Sequence, residues 1–313
     1  MDQAMIWNRR ELWIRKLLYP GHTFPTAVAP AIVAVGLAWH DGVFALLPAL
    51  AALLAGWLIQ FAGVVTDNYA NLVLQPDDRE HPELVEAVKA GLLTLSALKT
   101  TIMACYGLAL LAGLYLVAIG GVPVVIIGIA SILASWGYSA GPWPIGRHGF
   151  ADPLFFLFFG TVSVTGTYYV QAAANAGTAN WIAGFPLSAL ALSLPIGALI
   201  TNILIIDDIR DRDFDVVKGK NTIAVRFGRC WSRVEFIALM ASAYLTPFWF
   251  WLGLGFGPWI LLPLLSLPLA LAVARIVCTR DQFAALVPMT PRAAQLVVVY
   301  SVLLAIGLVL SPR

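Results

Sequence analysis

The sequence predicts an all-α membrane protein, nine transmembrane helices bundled around a central cavity, and three observations carry that reading. Of the 313 residues, 60% are hydrophobic and only 12% charged, with a mean hydropathy of +0.84, far outside the balance of soluble domains. Uncharged runs reach from Gly42 to Thr66, Thr100 to Gly146, Pro153 to Ile206 and Phe236 to Ala274. A span needs roughly 20 apolar residues, so several of these runs hold two. The basic residues are also one-sided. Arg9, Arg10, Arg15, Lys16, Arg79, Lys89, Lys99, Arg147, those from Arg210 to Arg233, Arg275, Arg280 and Arg292 share one side, with Arg313 opposite.

Residues 1–22 read as a leader, and "WNRRELWIRKLL" within them suits an interfacial helix in the headgroup layer. No small-residue cleavage site precedes the next spans, so a cleaved signal is not expected. Splitting the apolar runs at Gly, Pro and polar breaks gives spans at 23–40, 43–66, 95–118, 122–139, 152–172, 181–206, 233–254, 257–277 and 294–311. The connections "HDG", "GGVP", "AAANAGTAN" and "LGFGP" carry no Lys or Arg. The bias of basic residues toward cytoplasmic loops therefore puts the N-terminus in the cytoplasm. Prolines inside "FPTAVAP", "SLPIG" and "LLPLLSLPLA" are tolerated where neighbours re-satisfy the freed backbone groups, which fits helices around a hollow.

No polar segment is long enough to fold alone, so 1–313 reads as a single transmembrane domain with cytoplasmic polar segments at 67–94 and 207–232. Cys105, Cys230 and Cys278 are isolated, which suggests neither a disulfide framework nor a zinc site. A transporter or channel would need polar residues lining a mid-span path, whereas charge here collects at one membrane face.

The second polar segment, "IIDDIRDRDFDVVKGKNTIAVRFGR", holds five of the seventeen acidic residues within nine positions. Asp207, Asp211 and Asp215 recur every four residues, so on a helix continuing the sixth span they line one face. Three carboxylates are expected to converge there. Like charges at that spacing need a cation, and hard oxygen ligands beside phosphate and water suit Mg²⁺. Arg210, Arg212, Lys218 and Lys220 stand beside them to meet diphosphate oxygens.

The pattern D-x-x-x-D-x-x-x-D with its trailing "GKNTIAVRFG" resembles the second Asp-rich motif of the UbiA superfamily of intramembrane prenyltransferases. Within it, "YSAGPWPIGRHGFADPLFFLFFGTVSVTGTYYVQ" and "HTFPTAVAPAIVAVGLA" resemble the 1,4-dihydroxy-2-naphthoate polyprenyltransferases of menaquinone biosynthesis. The resemblance reaches from about residue 19 to residue 233 and implies the nine-helix fold of that family. The first motif departs from the family. In "IQFAGVVTDNYANLVLQPDDRE", Asp67 stands where the family has Asn, while Asn68 and Asn71 stand where it has Asp. Glu86 replaces an expected Arg, a place that Arg79 or Lys89 could fill. Amide oxygens still coordinate a hard cation, though without bringing charge.

The resemblance implies an enzyme that uses Mg²⁺ to transfer a polyprenyl group from its diphosphate to an aromatic acceptor at the cytoplasmic side of a bacterial inner membrane. Metal ligands are expected among Asp67, Asn71, Asp77, Asp207, Asp211 and Asp215. Asp67, Asp211, Tyr69 and Tyr138 are the expected catalytic residues, the tyrosines as cation–π partners. Substrate binding is expected from Asn68, Asn71, Arg79, Lys89, Arg147, Asn202, Arg210, Lys218 and Lys220. The expected acceptor is 1,4-dihydroxy-2-naphthoate, with hydroxybenzoate, homogentisate or a tetrapyrrole as alternatives.

Overall fold

The computed structural model describes residues 8–13, 17, 23–74, 82–176 and 185–312. Among these residues nine helices are long and apolar enough to span a membrane: α1 (Thr23–His40), α2 (Leu46–Leu74), α3 (Leu95–Gly120), α4 (Val122–Ser139), α5 (Ala151–Asn175), α6 (Leu187–Val217), α7 (Arg229–Gly253), α8 (Pro258–Thr279) and α9 (Phe283–Leu310). No strand occurs among them. The nine expected spans are all present, with ends that move because polar residues extend the helices. α2 runs on through Asp67, Asn68, Tyr69 and Asn71, and α6 runs on through Asp207, Asp211 and Asp215. Helical continuation keeps the backbone groups bonded, which irregular chain at a membrane edge would leave to chance.

Burial ranks the helices. The most apolar stretch of α6 is 89% buried, against 17% for α3 and 11% for α4, so α6 is the central post and α3 and α4 face lipid. The largest apolar core joins α1, α5, α6, α7, α8 and α9. A second packs α2 and α3 with Leu12 and Leu17 of the leader and with the short amphipathic helix Pro82–Lys89. The leader's helical turn Arg9–Leu12 opens on Asn8 with a reciprocal cap to Glu11. Arg9 Nε donates to the Leu92 carbonyl at 3.0 Å, fastening this turn to the loop beyond Pro82–Lys89.

Pro30, Pro195 and Pro247 lie inside α1, α6 and α7, as a bundle with mutually supporting helices permits. α5 is not a uniform α-helix, because Phe156–Val162 winds as a π-helix. Within that wider turn Gly160 meets Gly197 of α6. A Cβ on Gly160 would fall 2.5 Å from the Gly197 Cα, so the two backbones touch where any larger residue would hold them apart.

Candidate active site

The site forms where α2, α4 and α6 end on the basic face. Asp67, near the end of α2, is held by neutral donors. Ser139 Oγ donates to Asp67 Oδ1 at 2.6 Å, and Asn71 Nδ2 donates to Asp67 Oδ2 at 3.1 Å. The second bond is the i,i+4 reach of adjacent helical turns. Tyr69, two residues on, lies under Lys99, whose Nζ stands 5.4 Å from the ring centre.

The end of α6 is satisfied differently. Arg210 reaches back to Asp207 and sideways to Asp211, with Nε 2.7 Å from Asp211 Oδ1 and a second contact from Nη2 to Asp211 Oδ2. Thr290 of α9 donates to Asp207 Oδ1 at 2.6 Å and accepts from Arg210 at 3.2 Å. The guanidinium also lies over Phe283 at 5.7 Å. Lys220 Nζ takes Asp215 Oδ1 at 2.9 Å. Asp211 and Asp215 are buried, while Asp213 points outward, its side chain 73% exposed, to Arg212 and Arg229. The four-residue spacing therefore separates a lined face from a solvated one.

Both ends meet at Tyr138. This ring is within electrostatic reach of Asp67 from α2 and of Asp207 and Asp208 from α6. It packs against Gly146, where a Cβ would stand 2.9 Å from the Tyr138 Cζ, and against Phe155 at 5.6 Å. Phe155 in turn meets Phe159 at 4.9 Å. Phe159 lines a small, partly open cleft of about 40 Å³ between α1, α2 and α5, with Ala27, Ala31, Gly56, Gln60 and Thr167 on its other walls. Tyr138, Phe155 and Phe159 thus form a line of rings from the carboxylates toward this cleft.

The loop 140–150 closes the site against the loop after α6. The Asn221 N–H donates to the Arg147 carbonyl at 2.8 Å. Gly149 has φ +76°, and a Cβ there would lie 2.8 Å from the Asn221 oxygen, so glycine serves both the turn and the approach. The two sequence stretches that carry the family resemblance are in contact here.

The UbiA prenyltransferase family matches residues 27–288. The chain belongs to this family. A relative from Escherichia coli named 1,4-dihydroxy-2-naphthoate octaprenyltransferase is 31% identical over 310 residues, covering 97% of each chain. The fold matches the apo structure of a UbiA homolog from Aeropyrum pernix with a TM-score of 0.68 at 16% identity, over 87% of this chain and 94% of that one. It also matches a UbiA homolog from Archaeoglobus fulgidus bound to DMAPP and Mg²⁺, with a TM-score of 0.54 at 15% identity over 92% and 99%.

In this UbiA prenyltransferase one expectation needs correcting. Asp207, Asp211 and Asp215 do not converge on a point. Eight residues of α-helix rise by roughly 12 Å, and among the described residues no three acidic, His or Cys side chains close on one metal position. Two of the aspartates meet on Arg210 and the third turns to Lys220. Asn202 is also removed from the cluster. It is 1% exposed between α6 and α7, and its Nδ2 donates to the Phe236 carbonyl at 3.2 Å. Asn68 lies half-buried beside Asp67, Lys89 closes the helix Pro82–Lys89, and Lys218 follows the last turn of α6. Asp77 and Arg79 lie outside the described residues.

Residue-pattern reasoning missed Ser139 and Thr290, which hold Asp67 and Asp207, and Asp208, which the prenyltransferase buries beside the named cluster. Ser139 follows Tyr138 directly, and that adjacency was the available signal. Thr290 gave none, because it arrives from 83 residues away.

Proposed function

We propose that this protein transfers a polyprenyl group from a polyprenyl diphosphate to 1,4-dihydroxy-2-naphthoate, at the cytoplasmic face of a bacterial inner membrane, giving demethylmenaquinone in its reduced, quinol form. The observation that carries the reading is the approach of Asp67 at the end of α2 and Asp207 at the end of α6 to Tyr138, whose ring packs on Phe155 toward a cleft lined by Phe159. The name of the Escherichia coli relative supplies the acceptor.

Mg²⁺ fits the donor set. Asp67, Asn71, Asp207, Asp211 and Asp215 offer hard oxygens, and cations already stand on three of these carboxylates in the form of Arg210 and Lys220. Because these side chains do not close on one point, they would hold Mg²⁺ in separate groups, Asp67 and Asn71 with Asp77 at the α2 end and Asp207, Asp211 and Asp215 along the α6 end, and the metal when bound would stabilise negative charge on the departing diphosphate. Arg210, Lys218 and Lys220, with Lys89, Arg79 and Arg147, bind diphosphate oxygens. As the allylic C–O bond breaks, Tyr138 and Tyr69 face the carbocation with their π-systems, and the cleft walls keep water away. The ring carbon that bears the acceptor's carboxylate donates its electron pair to the allylic carbon. The carboxylate then leaves as CO₂, returning its bonding pair to the ring.

The test is turnover by membranes containing the full-length chain, with labelled polyprenyl diphosphate and a panel of acceptors. Expected are prenylation of 1,4-dihydroxy-2-naphthoate with release of CO₂, and loss of both on adding EDTA. Prenylation of hydroxybenzoate, homogentisate or a tetrapyrrole with the naphthoate left inert overturns the acceptor assignment.

A further inference from the structure

The mechanism above leaves one buried carboxylate unused. Asp152, at the start of α5, is 3% exposed, and its Oδ1 meets no hydrogen-bond donor among the described residues. It lies within electrostatic reach of Asp208 on α6, Glu235 on α7 and Tyr138. Asp208 is itself 9% exposed, and Lys220 is the cation within its reach.

An unpaired buried carboxylate oxygen carries the full cost of its lost water, and neighbouring carboxylates add to it. The arrangement is balanced when something supplies hydrogen-bond donors. Its position says what kind. Phe155, one turn along α5, packs on Tyr138 at 5.6 Å, so Asp152 belongs to the same region as these two rings. A flat ring bearing hydroxyl groups matches aromatic neighbours with a hydrogen-bond acceptor beside them.

We propose that Asp152 Oδ1 accepts a hydrogen bond from a ring hydroxyl of the aromatic acceptor and fixes which ring edge meets the allylic carbon. This assignment rests on the reading that the acceptor is a dihydroxynaphthoate. A hydrogen bond to a carboxylate also raises electron density in the ring when the ring must act as the nucleophile. Arg210 and Lys220, on the α6 end, are the cations that would take the acceptor's own carboxylate, so that the ring carbon bearing it is presented to the leaving diphosphate. Asp152 selects the orientation and Arg210 and Lys220 complete it.

The test compares 1,4-dihydroxy-2-naphthoate with its two monomethyl ethers, in full-length protein reconstituted in membranes. Wild type is expected to lose roughly 10- to 100-fold in kcat/KM on at least one ether, as for a buried carboxylate losing a hydroxyl partner. Asp152→Asn should lower kcat/KM for the parent acceptor by a similar factor and flatten the discrimination to within threefold. KM for the polyprenyl diphosphate and the Mg²⁺ midpoint should stay within twofold, and Asp152→Glu should restore part of the discrimination. Equal use of the parent and both ethers by wild type overturns the proposal without any variant. So does undiminished discrimination in Asp152→Asn, or a shifted Mg²⁺ midpoint with discrimination unchanged, which would make Asp152 a metal-site residue. Failure of wild type to use the naphthoate at all sinks the parent reading instead.

Discussion

The two polar helix ends neutralise their carboxylates by opposite means. At the end of α2, Asp67 is satisfied by a serine hydroxyl and an asparagine amide, so its charge is hydrogen-bonded but not cancelled. At the end of α6, Asp207 and Asp211 share Arg210 and Asp215 pairs with Lys220, so two cations meet three carboxylates. The helices differ in the same sense: the apolar window of α2 is 33% buried, that of α6 89%. Charge buried in the centre of a bundle must be paired within the protein, whereas charge at a looser edge can be left for a ligand. On the proposed reading, Mg²⁺ would exchange with protein cations at the α6 end and would meet a carboxylate without one at the α2 end.

Removing a charge from the α6 end should cost most. Asp211→Ala should reduce kcat by about 10²- to 10³-fold, the scale of losing one group that stabilises transition-state charge, measured by single-turnover prenyl transfer. Retention of wild-type turnover would break the contrast at once. Arg210→Gln sharpens it. With the guanidinium gone, Asp207 and Asp211 are left uncompensated, a loss of about 3 kcal/mol or more for a buried pair. Thermal unfolding should show that loss in EDTA and a substantial recovery with Mg²⁺, since a ligand of the folded state restores stability by mass action. An equal loss with and without the ion would show that the carboxylates do not take it.

Asp67→Asn should cost less, about tenfold in kcat/KM, because it removes charge from an end with amides in place of two expected carboxylates. The smallest effect is expected from Ser139→Ala. Loss of one hydroxyl donor to a carboxylate is worth about 1.5 kcal/mol, roughly a tenfold ceiling, and the bond from Asn71 remains to orient Asp67. A Ser139→Ala effect larger than that of Asp67→Asn would mean that Ser139 touches substrate itself.

Nine spans and the Asp face of α6 were readable because both are periodic and local. Hydropathy runs reported the lipid, and the four-residue spacing reported a helix face. The failures were tertiary. Arg210 lies one residue from Asp211 in sequence, yet its role depends on Thr290, which α9 delivers from across the bundle. Asp152 reads as one acid before an apolar run, and only packing against α6 buries it with an Oδ1 that meets no donor among the described residues. Convergence of three aspartates was expected from angular position alone. The axial rise of about 1.5 Å per residue separates what the face aligns.

The π-wound stretch Phe156–Val162 divides α5 into two registers. An added residue in a helical turn rotates everything after it against everything before it. The segment carrying Asp152 and Phe155 is thereby uncoupled from the segment carrying Ser163 and Thr167 against the cleft. The end of α5 at the membrane surface and its deeper half therefore answer to different neighbours, so the facing of one can shift while that of the other is inherited unchanged.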